Sequence, residues 1–201
     1  MANTNTAGFG LIAAGTVGST PSTQGQGKYY IEAADSDDLF QGCTVRMKDG
    51  FIVEASSTAT FATIGVFNGI FYNASTTLKP TWANWYNQPI TPANSENITC
   101  FVLDNPFQLF VGSASAAVTQ ANMGRTVSFA AAVPTGSELS GQCSNTLDIG
   151  NINDTLRQWR LVRSAEDPEN NDIANNFCSF IVASNLNQYL QNTGTAGITW
   201  Q

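Results

Sequence analysis

The sequence predicts an all-β protein, a single β-barrel or β-sandwich domain with an extended N-terminal arm. Two observations support this fold class. Short runs rich in Val, Ile, Phe, Tyr and Thr recur after Lys28, and turn-forming clusters separate them. No stretch has the period of a strong amphipathic helix. With 201 residues the chain is long enough for one domain with a sizeable core.

The strand-like runs and the turns between them follow one another along the chain. The runs are KYYIEA, TVRMK, FIVEA, ATIGVFNGIFY, NITCFVL, FQLFVG, LRQWRLV and CSFIVAS. Lys48-Asp49-Gly50 predicts a hairpin between two of them, because glycine accepts the positive φ of a tight turn. The runs alternate poorly between apolar and polar residues, which is typical of strands with apolar side chains on both faces.

Residues 1–27 differ from the rest of the chain in composition. They are rich in Gly, Thr and Ser but hold a few apolar side chains, more than a pure linker needs. This predicts an extended arm, residues 1–27, that orders by lying on a neighbouring subunit, although a disordered terminus fits the same composition. Residues 28–201 are predicted to form the body, with TGTAGITWQ as a short C-terminal tail. The candidate anchors of the arm are Phe9, Leu11, Ile12 and Val17.

Asp104-Asn105-Pro106 separates two apolar runs and raises the choice between a reactive carboxylate and a chain corner. Proline fixes its own φ and keeps the preceding residue out of the helical region, and Asp and Asn side chains bond turn backbone. No acid, base or metal ligand lies near Asp104 in sequence. The stretch is therefore predicted to be a structural corner.

The composition argues against several classes of function. Charged residues make up 11% of the chain, the net charge is −7 and histidine is absent. Phosphate-backbone binding needs clustered Lys and Arg, and most acid–base and metal sites use histidine. We therefore expect no enzyme activity, no catalytic or metal-binding residues, no cofactor and no nucleic-acid partner. No run approaches the ~18 apolar residues that a membrane helix needs, so we expect no membrane partner either.

The cysteines and one aromatic cluster leave alternatives open. Cys43, Cys100, Cys143 and Cys178 are far apart and form no C-x-x-C pair, so each is expected to pack as a small apolar residue, and spacing assigns no disulfide. Trp82, Trp85 and Tyr86 lie close together in TWANWYNQP, among amides and without charges. Such a cluster suits core packing, a protein interface or a sugar-binding groove.

Several stretches, taken in order, resemble a family of tailed-bacteriophage virion proteins, the capsid decoration or cement proteins. They are TAGFGLIAAGTVGS, KYYIEAADSDDLFQGCTV, IGVFNGIFYNASTTLKPTWANWY, ITPANSENITCFVLDNPFQLF, LRQWRLVRSAEDPENNDIANNF and the TGTAGI tail. The resemblance covers nearly the whole chain. The order of G-V-F-x-G, the D-N-P corner and E-D-P-E-N is more specific than any one of these motifs.

The resemblance implies a mechanical function and a location in the virion. A cement protein binds the outer surface of the phage head and clamps adjacent capsid subunits. The implied partners are the major capsid protein and further copies of the chain, with a trimer favoured over a dimer. The family carries no catalytic residues. The arm anchors and the residues Trp82, Trp85 and Tyr86 are then the expected contacts. The alternative function is a glycan-binding virion protein, which would expose the aromatic cluster to receptor or host-surface sugars.

Overall fold

The computed structural model describes residues 3–19, 25–33, 35–55, 61–129 and 134–190. Within these ranges the chain forms β-strands, single 3-10 turns and no α-helix, so the predicted all-β class is confirmed. No helix in the described part is long and apolar enough to cross a membrane. The strands are β1 (Leu11–Thr16), β2 (Gly27–Ile31), β3 (Leu39–Phe40), β4 (Thr44–Lys48), β5 (Phe51–Glu54), β6 (Gly65–Asn73), β7 (Pro80–Ala83), β8 (Trp85–Tyr86), β9 (Ile98–Leu103), β10 (Gln108–Ser113), β11 (Thr126–Val127), β12 (Trp159–Ser164) and β13 (Ser179–Ser184).

The strands form two antiparallel sheets and one small strand pair. The first sheet has the order β1-β10-β13-β12-β11. The second has the order β2-β9-β6-β4-β5, and β7 pairs with the distal half of β6. Strands β3 and β8 form the small pair. The described strands close no barrel, and the layered arrangement is consistent with the predicted sandwich.

The second sheet is apolar on both faces, which explains why its strands alternate poorly in sequence. In β6, Val66 packs into a first core shared with the first sheet, whereas its neighbour Phe67 packs into a second core on the opposite face. Strand β9 does the same with Leu103 and Val102. Successive side chains of a strand point to opposite faces, so a sheet covered on both sides needs apolar residues at consecutive positions.

A buried contact joins the two sheets. Trp159 of β12 is fully buried, and its Nε1 donates a hydrogen bond to Oγ1 of Thr44 on β4 over 3.1 Å. The indole also meets the ring of Phe110 edge-on, with 5.4 Å between centroids. Because an indole N–H must find an acceptor when buried, this pairing fixes how the sheets lie against one another.

Both turn predictions are confirmed. Asp49 and Gly50 connect β4 to β5 with positive φ angles of 51° and 88°, as a two-residue hairpin turn requires. The D-N-P stretch connects β9 to β10, with the Phe107 amide donating to Oδ1 of Asn105 over 3.0 Å. These two strands belong to different sheets, so the corner carries the chain from the second sheet to the first.

Within the described residues, β1 and the segment before it contact the chain's own body, whereas contact of this segment with a neighbouring subunit stays a prediction. Strand β1 pairs with β10 at the edge of the first sheet, and Leu11 is 3% exposed in the first core. Opposite Leu11 stands Gly112, where an added Cβ would lie only 2.9 Å from Leu11 Cδ2. Because Gly112 has no side chain, Leu11 has room to pack into the first core. Composition alone does not reveal a partner strand about a hundred residues away. The tail TGTAGITWQ lies outside the described residues.

The four cysteines are free and buried, as small apolar residues would be. Three belong to the second core and Cys178 to the first. Burial raises the pKa of the Cys100 thiol to about 12 and that of the Cys143 thiol to about 11. Both thiols therefore stay protonated near neutral pH, which keeps them unreactive.

Candidate interaction surface

One face of the second sheet carries a row of aromatic side chains. The strand register places Tyr30 of β2 opposite Thr99 of β9, Thr99 opposite Phe71 of β6, and Phe71 opposite Trp82 of β7. Paired residues of adjacent antiparallel strands share a face, so these four side chains form one row. Three strand spacings of about 4.8 Å make the row about 14 Å long. Phe101, two residues along β9 from Thr99, lies on the same face.

These aromatic side chains are in contact with solvent. Trp82 is 54% exposed, Tyr30 43% and Phe71 40%, whereas Phe101 is half-buried. We call Tyr30, Phe71, Trp82 and Phe101 the aromatic face. Large apolar side chains that lie together on a surface are uncommon in monomers and mark contact sites.

A glycine in β6 shapes this surface. Gly69 stands opposite Phe101 with a φ of 149°, and an added Cβ would lie 3.0 Å from Cζ2 of Trp82. The indole of Trp82 therefore reaches across β6 to the ring of Phe101, with 5.1 Å between centroids and a 43° tilt. The contact restrains the Trp82 ring, and a restrained ring loses less entropy in any contact it makes.

The first sheet covers only part of this side of the second sheet. On β6 and β9 the residues Val66 and Leu103 pack into the first core, yet Phe71 and Phe101, on the same side of the same strands, do not. A register irregularity between Phe67 and Gly69 separates the covered half of β6 from the exposed half. The aromatic face is therefore the part of the sheet that the sandwich leaves unpacked.

Lys28 of β2 and Glu96, before β9, are charged residues beside the aromatic face. Nζ of Lys28 lies 5.7 Å from the centroid of the Tyr30 ring. Nδ2 of Asn73, at the end of β6, lies 3.5 Å from Oε2 of Glu96. Aromatic rings on a sheet can also stack nucleic-acid bases, but such sites need a positively charged groove, and this chain has a net charge of −7. The surface suits contact with an uncharged or weakly polar partner.

The structure separates the three aromatic residues that the sequence places together. Only Trp82 belongs to the aromatic face. Trp85 is half-buried and stacks on Phe40, with 5.6 Å between centroids and 2° between planes. Tyr86 is fully buried and donates its hydroxyl hydrogen to the Asp35 carbonyl over 3.0 Å, and burial raises its pKa to about 12.

The four predicted arm anchors also divide between interior and surface. Leu11 is buried in the first core, so it does not face a partner in this structure. Phe9 is partly buried and lines, with Ile12, a groove of about 450 Å³ beside β1. Ile12 and Val17 are each 50% exposed. Of the predicted anchors, these two have the most exposed side chains.

Asp104 has a structural contact at the corner after β9. Asp104 accepts a hydrogen bond of 2.5 Å from the hydroxyl of Tyr29, and burial together with this bond raises the pKa of Tyr29. Tyr29 also bonds the hydroxyl of Tyr189. Asp104 thus ties the corner to β2 and to the last described segment. Among the described residues no group of three His, Cys, Asp or Glu side chains is placed to hold a metal ion.

Three members of the aromatic face were not expected from the sequence: Tyr30, Phe71 and Phe101. They come from three different strands, and their spacing along the chain links none of them to Trp82. Only the pairing register brings them together. A local signal existed for Tyr30, since KYYI places Tyr29 and Tyr30 on opposite faces of a strand.

No protein-family model, curated protein or solved structure matches the chain. We therefore infer a function from the chain's own residues and from the resemblance to phage cement proteins.

Proposed function

We propose that the protein is a capsid decoration, or cement, protein of a tailed bacteriophage, located on the outer surface of the virion head, where it clamps adjacent capsid subunits. The observation that carries the proposal is the aromatic face, a row of exposed aromatic side chains on a part of the second sheet that the first sheet leaves uncovered. The order of motifs that resembles the cement family supports it. In this proposal the partners are the major capsid protein and further copies of the chain, with a trimer favoured over a dimer.

The chemistry of the aromatic face suits a protein partner. Trp and Tyr are enriched among the residues that dominate binding energy at interfaces, because they bury a large area with few rotatable bonds. Trp82, already fixed against Phe101, would be the strongest single contact. Contacts of this kind need not be tight, because symmetry repeats them over the whole shell.

The structure changes which N-terminal residues this proposal uses. Deleting residues 1–27 would remove β1 from the first sheet and Leu11 from its core, so a loss of binding would reflect damage to the fold. Ile12 and Val17 have the exposed side chains that a shell can reach. Point substitutions there test the contribution of the N-terminal segment without removing a strand.

The test is a pelleting assay with expanded shells assembled from the capsid protein of the same phage. Purified protein is titrated in, and the copies that sediment are counted. We expect saturation at a fixed small ratio to capsid subunits. Trp82→Ala should raise the half-saturating concentration at least tenfold, which corresponds to about 1.4 kcal/mol.

Leu139→Ala is the control, because Leu139 is 99% exposed and lies in the turn between Ser137 and Gly141, outside both the aromatic face and the N-terminal segment. We expect it to bind as the wild type does. Failure of the wild-type protein to sediment with shells would refute the cement function. Wild-type binding that Trp82→Ala and Phe71→Ala leave unchanged would remove the aromatic face from it.

A further inference from the structure

The opposite side of the second sheet carries a cleft near the β6–β7 hairpin. Its volume is about 440 Å³, within the range of small-molecule sites. Tyr72 and Ala83 form part of its lining, and their places in the register put them on the face away from Phe71 and Trp82. We propose that this cleft binds a neutral sugar. The residues that would contact the sugar are Tyr72, Ser75, Thr76, Trp85, Asn87 and Thr91.

Trp85 supplies a rigid apolar surface in this cleft. Its ring is held parallel to that of Phe40, with 5.6 Å between centroids. On another side it touches Gly141, where an added Cβ would lie 2.7 Å from Trp85 Cδ1. A ring fixed by its neighbours loses little freedom when a ligand arrives. The C–H face of a sugar ring is apolar and packs against such an aromatic surface.

The polar lining of the cleft is uncharged. It consists of the hydroxyls of Ser75, Thr76 and Thr91 and the amide of Asn87, and no Asp, Glu, Lys or Arg side chain lines the cleft. All four residues are exposed, and in the described part of the chain none of these side chains has a hydrogen-bond partner. Hydroxyls and amides both donate and accept, as the hydroxyl groups of a sugar do. A charged ligand would find no counter-charge in this lining.

Backbone bonds hold the walls of the cleft in place. Ala74 pairs with Pro92 in an isolated bridge, which joins the hairpin to the segment carrying Asn87 and Thr91. Within the hairpin the Leu78 amide donates to the Ala74 carbonyl over 2.8 Å. The two walls are therefore tied together before any ligand binds. An uncharged, largely preformed cleft with one fixed indole favours a small neutral saccharide over an extended peptide.

The test is a titration of the whole protein with glucose, galactose, mannose, N-acetylglucosamine and lactose, followed by saturation-transfer NMR and calorimetry. Glucuronic acid serves as the charged comparison. We expect at least one neutral sugar to bind with a Kd on the order of 1 mM. Asn87→Ala and Thr76→Val should each raise that Kd several-fold, and neither removes a core residue.

Trp82→Ala is the control, since Trp82 lies on the other face of the sheet and should leave sugar affinity unchanged. Trp85→Phe keeps a ring on Phe40 and should weaken binding without unfolding the protein, which circular dichroism checks. Three results would overturn the proposal: no neutral sugar binds, Asn87→Ala and Thr76→Val bind as well as the wild type, or Trp82→Ala abolishes binding. Binding to capsid shells is measured in a separate assay, so the cement function and the sugar-binding cleft can each be refuted without the other.

Discussion

Replacing Thr44 by Val should destabilise the protein through the contact that joins its two sheets. Thr44 is 2% exposed and accepts a 3.1 Å hydrogen bond from Nε1 of the fully buried Trp159. Valine has nearly the same shape, so the packing around position 44 is kept. The substitution removes the acceptor and leaves the indole N–H in the interior without a partner.

The magnitude follows from two opposing effects. A buried donor without a partner costs about 1–3 kcal/mol. The extra methyl group of valine, buried in place of a hydroxyl, returns up to about 0.8 kcal/mol. From the middle of the first range, about 2 kcal/mol, the expected net loss is about 1 kcal/mol. With a urea m-value of about 2 kcal/mol/M for a domain of this size, the unfolding midpoint should fall by about 0.5 M.

The assay is urea unfolding followed by circular dichroism, with a double-mutant cycle on positions 44 and 159. Trp159→Phe removes the donor, so Thr44→Val should cost little in that background. The cycle separates the free energy lost with the hydrogen bond from the free energy lost because phenylalanine is smaller than the tryptophan at position 159. An unchanged midpoint for Thr44→Val, or an equal cost in both backgrounds, would show that this bond does not hold the sheets together.

Three further predictions concern a strand glycine, a partly buried carboxyl group and the four cysteines. Gly69→Ala should lower the free energy of unfolding by about 1–3 kcal/mol. The backbone of Gly69 has a φ of 149°, which a residue with a side chain rarely adopts, and the added Cβ would lie 2.8 Å from the Ala83 carbonyl oxygen. Gly50 also has a positive φ, 88°, but an added Cβ there would meet no atom within 4 Å. Gly50→Ala should therefore lower the free energy of unfolding by less than Gly69→Ala does in urea unfolding. Equal losses for the two variants would contradict the steric explanation. Burial, and then the carboxylate of Asp37, raise the pKa of Glu54 from 4.5 to about 7. The folded state therefore holds this proton more tightly than the unfolded chain, so stability should fall as pH rises from about 4.5 to 7. Glu54→Gln should be more stable than the wild type at pH 8 by about 1 kcal/mol, since water screens this partly exposed side chain, and no more stable at pH 4. Finally, the four buried thiols should react only slowly with iodoacetamide at pH 8 in the native protein. Intact-mass spectrometry should show four alkylated cysteines only after the protein is unfolded. Rapid alkylation of the native protein would refute their burial.

The sequence by itself determined the features that depend on neighbouring residues. Asp49-Gly50 forms the β4–β5 hairpin and Asp104-Asn105-Pro106 forms a corner, because glycine, proline and short polar side chains restrict the backbone locally. The all-β class followed from the composition of short runs between such turns. The apolar character of consecutive positions in β6 and β9 also indicated strands covered on both faces.

Only the tertiary structure decided which segments meet. The chemistry of residues 11–16 fits an arm on a neighbour as well as an edge strand, and only pairing with β10 assigns them to the first sheet. In TWANWYNQP, Trp82 is exposed, Trp85 is stacked on Phe40 and Tyr86 is buried, although the three are close in sequence. The aromatic face joins residues of four strands. Strand pairing depends on contacts between distant segments and on the register of each ladder, and a one-residue shift in register would turn every side chain to the opposite face.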